Sequence, residues 1–133
     1  MNLKLILQLS AFGLIMALGT VSLIPAQIEP VFWIIIFIIC AWVIAKAAPA
    51  KYFLHGFLVS LVNCVWIIAV HTIFYDTYIA NHPNIALMNE GTPAAVANHP
   101  RVVQAVFGAI IGVISGVVLG LFSIIASKIV KKA

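Results

Sequence analysis

Four residues in the second half of the chain carry groups that could hold a metal ion: His71, Asp76, His82 and His99. Three imidazoles and one carboxylate suit zinc or copper. Two of them sit in a short repeat, Ala80-Asn81-His82-Pro83, which recurs unchanged as Ala97-Asn98-His99-Pro100. The repeat also has a purely structural meaning. Asparagine can close a helix in the left-handed conformation or cap the start of one. Proline fits the first helical turn, where its missing N–H costs nothing. Spacing argues against the metal set, because residues five apart on a continuous helix point about 140° apart, and His71 and Asp76 are so placed. The boxes are therefore read as helix punctuation. No metal ligand is assigned and no cofactor is expected.

Other chemistry is scarce. The sequence offers no nucleophile–base pair, no phosphate-binding loop and no paired carboxylates, so an enzyme is not expected. Cys40 and Cys64 lie inside apolar stretches and match no metal-ligand spacing. Their depths along antiparallel helices differ by about 10 Å, which argues against a disulfide. They read as small buried apolar side chains.

The elements that must carry these residues follow from composition. Of 133 residues, 65% are hydrophobic and 8% charged, against about 25% charged in a soluble domain. So apolar a chain could not cover its surface in water, whereas a lipid-facing surface removes the conflict. Crossing the hydrocarbon core takes about 20 apolar residues in a helix. Four segments qualify, at about 3–24, 31–48, 52–74 and 102–127, joined at the far side by a long connection over 75–101. Backbone groups in lipid must be satisfied within the segment, and these runs are too long for barrel strands. The fold class is all-α, a single integral membrane four-helix bundle running antiparallel, up-down-up-down. The first segment also has the basic start of a signal peptide, but its apolar run is too long and Ile24-Pro25-Ala26-Gln27 is a poor cleavage site. It reads as a retained anchor.

Punctuation supports these spans. Pro25 and Pro30 bracket a turn containing Glu29, and Pro30 suits the first turn of the second helix. Ala48-Pro49-Ala50-Lys51 is a tight link that should make the second and third helices antiparallel neighbours. Thr92-Pro93 reads as a helix start running through Ala97, and Asn84 to Met88 as one further turn at the membrane surface. The first histidine box should end an extended third helix, and the second should launch the fourth.

Charge sets the orientation. With alternating spans, Lys4, Lys46, Lys51, Lys128, Lys131 and Lys132 fall on one side and Arg101 alone on the other. Lysine-rich short loops stay in the cytoplasm, so both termini are expected there. Glu29, Asp76 and Glu90 then lie outside. The net charge of +4 comes mainly from these membrane-edge lysines, so no nucleic acid is expected as a partner. Trp33, Trp66, Phe74, Tyr75 and Tyr78 read as packing and an interfacial aromatic belt.

Two further patterns concern packing. The last helix carries Gly108, Gly112, Gly116 and Gly120, one glycine every fourth residue, in the manner of a glycine zipper. Residues four apart share a face, so these form a groove for close approach by another helix. The candidate partners are Gly13 and Ala17 of the first helix, Gly56 and Ser60 of the third, a second copy of the chain, or a different protein. Inside the third helix, Asn63 should bond across to a neighbour, with Gln8 and Gln104 in similar roles. No charged residue sits at the middle of a span, which counts against an ion-coupled carrier.

The order of features supports one resemblance. An aromatic-rich third helix runs into Asp76-Thr77-Tyr78, followed by Pro83, a variable stretch and a glycine-rich last helix ending in Lys131-Lys132. In this the chain resembles small bacterial four-span inner-membrane proteins of a family without assigned function. The resemblance covers most of the chain and implies a bacterial inner-membrane location. It implies no activity, gives no residue a role, and does not extend to the histidine boxes. The expectation is a non-enzymatic accessory or self-associating membrane protein in contact with the lipid bilayer. The competing class is a small transporter or a metal sensor using the outer histidines.

Overall fold

The computed structural model describes residues 1–130, and only the backbone of Met88 and Asn89. Lys131 and Lys132, used above for orientation, lie outside the described residues. Four long helices are present: α1 (Leu3–Ser22), α2 (Glu29–Ala47), α3 (Tyr52–Ile73) and α7 (Pro100–Ile129). Three short ones, α4 (Tyr75–Asn81), α5 (Pro83–Glu90) and α6 (Ala94–Ala97), fill the long connection, and no strand occurs among the described residues. Each long helix is long and apolar enough to cross a membrane. Large apolar side chains such as Leu7, Ile15, Ile35, Val65, Ile110 and Ile125 are exposed. A continuous apolar exterior of this kind is foreign to a water-soluble monomer.

The helix starts follow the local sequence. The Asn2 side chain accepts from the Leu5 N–H at 3.1 Å, capping α1. Pro30 and Pro100 fall in the first turns of α2 and α7. The α2–α3 link reverses the chain without a glycine and places Lys51 in the left-handed region, φ 56°, at a cost of roughly 1–2 kcal/mol. The second histidine box launches α7 as expected, although His99 rather than Asn98 occupies the cap position.

The third helix does not run unbroken to Asn81. It stops at Ile73, and Phe74 (φ −100°, ψ 33°) turns the chain into α4. The reason lies in the rings. On a straight helix, residues seven apart share a face but stand about 10 Å apart along the axis. The bend brings the His71 and Tyr78 ring centroids to 4.2 Å.

α3 is the centre of the bundle. It lies parallel to α1, with Gly13 against Asn63 and Thr20 against His71, and antiparallel to α7. α2 packs chiefly on α7, and only slightly on α1 and α3. The short link therefore reverses the chain but does not make α2 and α3 the best-packed pair. Small residues explain this. Gly56 of α3 lies on the Leu119 backbone of α7 and Ser60 bonds the Gly112 carbonyl, which permits close approach, whereas the first half of α2 carries the bulky run Trp33 to Ile39. Consequently α2 buries side chains only from Ile36 onward: Ile36, Cys40, Ala41, Ile44 and Ala45. They join Val59, Leu119 and the start of α1 in one core at the end of the bundle that holds the termini.

That end is tied by a residue the sequence had not marked. His55, 1% exposed, accepts the Asn2 backbone N–H on Nε2 at 3.1 Å and approaches the Lys51 carbonyl through Nδ1 at 3.0 Å. The first bond joins the start of α1 to the start of α3. Lys4, Lys46, Lys51 and Lys128 all lie at this same end, and Arg101, Asp76, Glu29 and Glu90 at the opposite one.

Candidate functional site

The first half of α2 splays from α3 and α7, and a cleft of about 750 Å³ opens between the three. α2 contributes Glu29, Trp33, Ile34 and Phe37 to its wall. α3 contributes Ser60, Asn63, Cys64, Ile67 and His71, and α7 contributes Gln104, Phe107, Ile111 and Ser115. Tyr75 and Tyr78 of α4, Ile85 of α5 and Thr92 close the end nearest the short helices. The lining is mostly apolar with a few polar groups, and its volume falls in the range typical of small-molecule sites, about 300–1,000 Å³.

Two of the polar groups lack hydrogen-bond partners. Asn63 is 2% exposed, yet neither Oδ1 nor Nδ2 is bonded. Gln104 Oε1 is likewise buried and unbonded. The expected bond from Asn63 across to a neighbouring helix is not made. Asn63 instead lies against Gly13, with its Cα only 2.6 Å from where a Cβ would stand on that glycine. Cross-helix bonds come from its neighbours: Cys64 Sγ donates to the Gly108 carbonyl at 3.0 Å and Ser60 Oγ to the Gly112 carbonyl at 3.4 Å. Gln8 does not share this setting, because it faces outward and is exposed.

The glycine row of α7 forms the seam behind the cleft. Gly108 meets Ile68, Gly112 meets Cys64, Gly116 meets Phe57 and Gly120 meets Phe53, all on α3. The reciprocal contact is Gly56 of α3 on the Leu119 carbonyl of α7. The groove is thus filled by the chain's own third helix, and a second copy would have to dock elsewhere on α7.

The candidate metal ligands do not converge. His71 and His82 are separated by the Tyr78 ring, which stacks on both at 4.2 and 4.1 Å between centroids. His71 Nε2 is 2.8 Å from Thr20 Oγ1, and His82 Nδ1 is 2.8 Å from the Tyr78 carbonyl. Asp76 is exposed and pairs with Arg101 at 3.6 Å. His99 is exposed at the start of α7. Among the described residues, no group of three or more histidines, cysteines or acids is placed to hold a metal. Cys40 and Cys64 are both buried free thiols.

No protein-family model, curated protein or solved structure matches this chain.

Three of the aromatic residues read as packing and belt have specific partners. Tyr78 is buried within the histidine stack, and Trp66 donates from mid-helix to Ser10 Oγ at 3.4 Å. Trp33 donates to Glu29 Oε1 at 3.2 Å at the mouth of the cleft. Burial first, and then the negative charge of Glu29, pushes the Tyr78 hydroxyl up to about 12 from its ordinary value near 10. The neutral phenol is therefore the form the fold stabilises. That contribution is complete below pH 10 and is lost as pH rises through 12. In an ultraviolet titration of folded protein, phenolate absorbance should still be growing near pH 12, and Tyr78→Phe should remove that late rise.

Proposed function

We propose that this chain is a non-enzymatic binding protein of the bacterial inner membrane. Its cleft takes an apolar small molecule bearing a hydrogen-bonding group. The observation that carries this reading is the apolar cleft of about 750 Å³ between α2, α3 and α7, with the unpaired Asn63 carboxamide buried in its α3 wall. An unpaired buried amide costs about 1–3 kcal/mol, and in lipid no bulk water offsets it. A ligand toward which the Asn63 and Gln104 side chains turn removes the cost and fills the space between α2 and α7. The lysines gathered at the end holding the termini favour a cytoplasmic location for that end. The cleft then opens in the outer half of the bilayer, where amphiphiles arrive laterally. Self-association loses its particular motive, since the glycine row is used within the chain. The histidines support a bent cap over the cleft rather than a metal centre.

Photolabelling in lipid nanodiscs with a neutral aryl diazirine tests the reading. Adducts should concentrate on cleft positions such as Trp33, Gln104 and Phe107, and Ile111→Trp, which fills the cleft from an exposed position, should suppress them. Equal labelling of outward positions such as Ile15, Ile35 and Val113 would refute it.

A further inference from the structure

We infer that the cleft selects a lipophilic cation over neutral or anionic molecules of the same shape. The inference rests on the cleft being a binding site and names the class of molecule it takes.

Charge decides the class. Among the described residues, Glu29 is the only acid or base of the Asp, Glu, Lys and Arg types in the cleft wall. It stands in the first turn of α2, half-buried, and is held by the Trp33 indole N–H at 3.2 Å. Its carboxylate keeps acceptor capacity beyond that one bond. Arg101, at the same end of the bundle, does not line the cleft. It pairs with Asp76 at 3.6 Å and lies over the outer Tyr75 ring, 5.4 Å from its centroid. The Arg101–Asp76 pair is neutral in sum, so Glu29 sets the sign of the site. The positive N-terminal end of α2 is offset by that same carboxylate.

The aromatic rings supply the second half of the recognition. Trp33, Phe37 and Phe107 line the same space, whereas Tyr78 is sandwiched between His71 and His82 and Tyr75 already carries Arg101. Ring faces attract a cation, most strongly when both are removed from water. The three other long helices present no carboxylate to the cleft. A ligand with a diffuse positive charge inside an apolar shell matches this wall, because its desolvation is cheap. A phosphate or carboxylate headgroup would meet Glu29 without a compensating cation.

The test uses an isosteric pair, tetraphenylphosphonium and tetraphenylborate, on purified protein in nanodiscs. Radiolabelled tetraphenylphosphonium should bind saturably and protect the cleft from the neutral diazirine, and tetraphenylborate should not. Glu29→Gln should weaken the cation by about tenfold or more, while Glu29→Asp retains a preference for it. Trp33→Leu should weaken it by a smaller factor, with unchanged thermal melting showing that the bundle is intact. Equal affinity for the two ions, or wild-type affinity in Glu29→Gln, overturns the inference. In either case, diazirine labelling confined to the cleft would leave the binding-site reading standing, and its absence would remove both.

Discussion

Gly56→Leu should be the most damaging single substitution in the α3–α7 seam, costing on the order of 3 kcal/mol or more. A Cβ built on Gly56 would meet the Leu119 carbonyl oxygen at 2.6 Å and its carbon at 2.9 Å. Both are backbone atoms of α7, so no rotamer change can relieve the clash and the helices must part. The obstacle differs along the row. At Gly112 it is the Cys64 side chain, including Cβ at 2.6 Å, and at Gly120 the edge of the Phe53 ring at 2.6 Å. At Gly108 it is the flexible Ile68 side chain at 2.9 Å. Alanine substitutions should therefore cost least at Gly108, where a gain in helix propensity of up to about 1 kcal/mol can offset the crowding. At Gly112, Cys64→Gly should partly rescue the alanine, with a coupling of about 1–2 kcal/mol in a double-mutant cycle. Reversible unfolding in mixed detergent micelles measures each value. A flat response across Gly56, Gly108 and Gly112 would mean that α3 does not occupy this groove.

The same comparison shows what the sequence could reveal. Four apolar runs, two of them with proline in the first turn, place the long helices to within a few residues, because length and hydropathy are local properties. The glycine row announces tight packing for the same reason. Its partner was not legible: Gly13, Gly56 and a second copy all offered suitable small surfaces, and only the three-dimensional arrangement shows α3 in the groove. The short α2–α3 link pointed to a packed hairpin, yet bulk at Trp33 to Ile39 and small residues at Gly56 and Ser60 redirect α3 toward α7. The cleft is the result of that redirection, so no single segment encodes it. His55 illustrates a different blindness. Its role depends on Asn2, 53 residues away, and a lone histidine near a helix start carries no sign of such a bond. The bend at Phe74 was equally hidden, since nothing local to Ile73 or Phe74 breaks a helix. It follows from stacking among His71, Tyr78 and His82.

The cleft makes a second strong expectation, opposite in sign to ordinary core mutagenesis. Truncating a buried side chain usually destabilises a fold by about 2–5 kcal/mol. Asn63→Ala should instead leave the ligand-free protein as stable as before, or more so. The carboxamide it removes is buried with neither polar atom bonded, and deleting an unpaired group recovers its desolvation cost of about 1–3 kcal/mol. The neighbouring Cys64 and Ser60 bonds to α7 remain, so the α3–α7 seam is not expected to open. Val59→Ala provides the control: Val59 is fully buried in the core at the end holding the termini, away from the cleft, and should lose stability in the usual way. Binding should respond in the reverse order, with diazirine labelling of the cleft falling sharply in Asn63→Ala and staying near wild type in Val59→Ala. A residue that weakens the empty protein yet is needed for occupancy has its worth in the bound state. If Asn63→Ala melts several degrees below wild type while binding is untouched, the amide is packing material, and the cleft is a space filled by lipid chains.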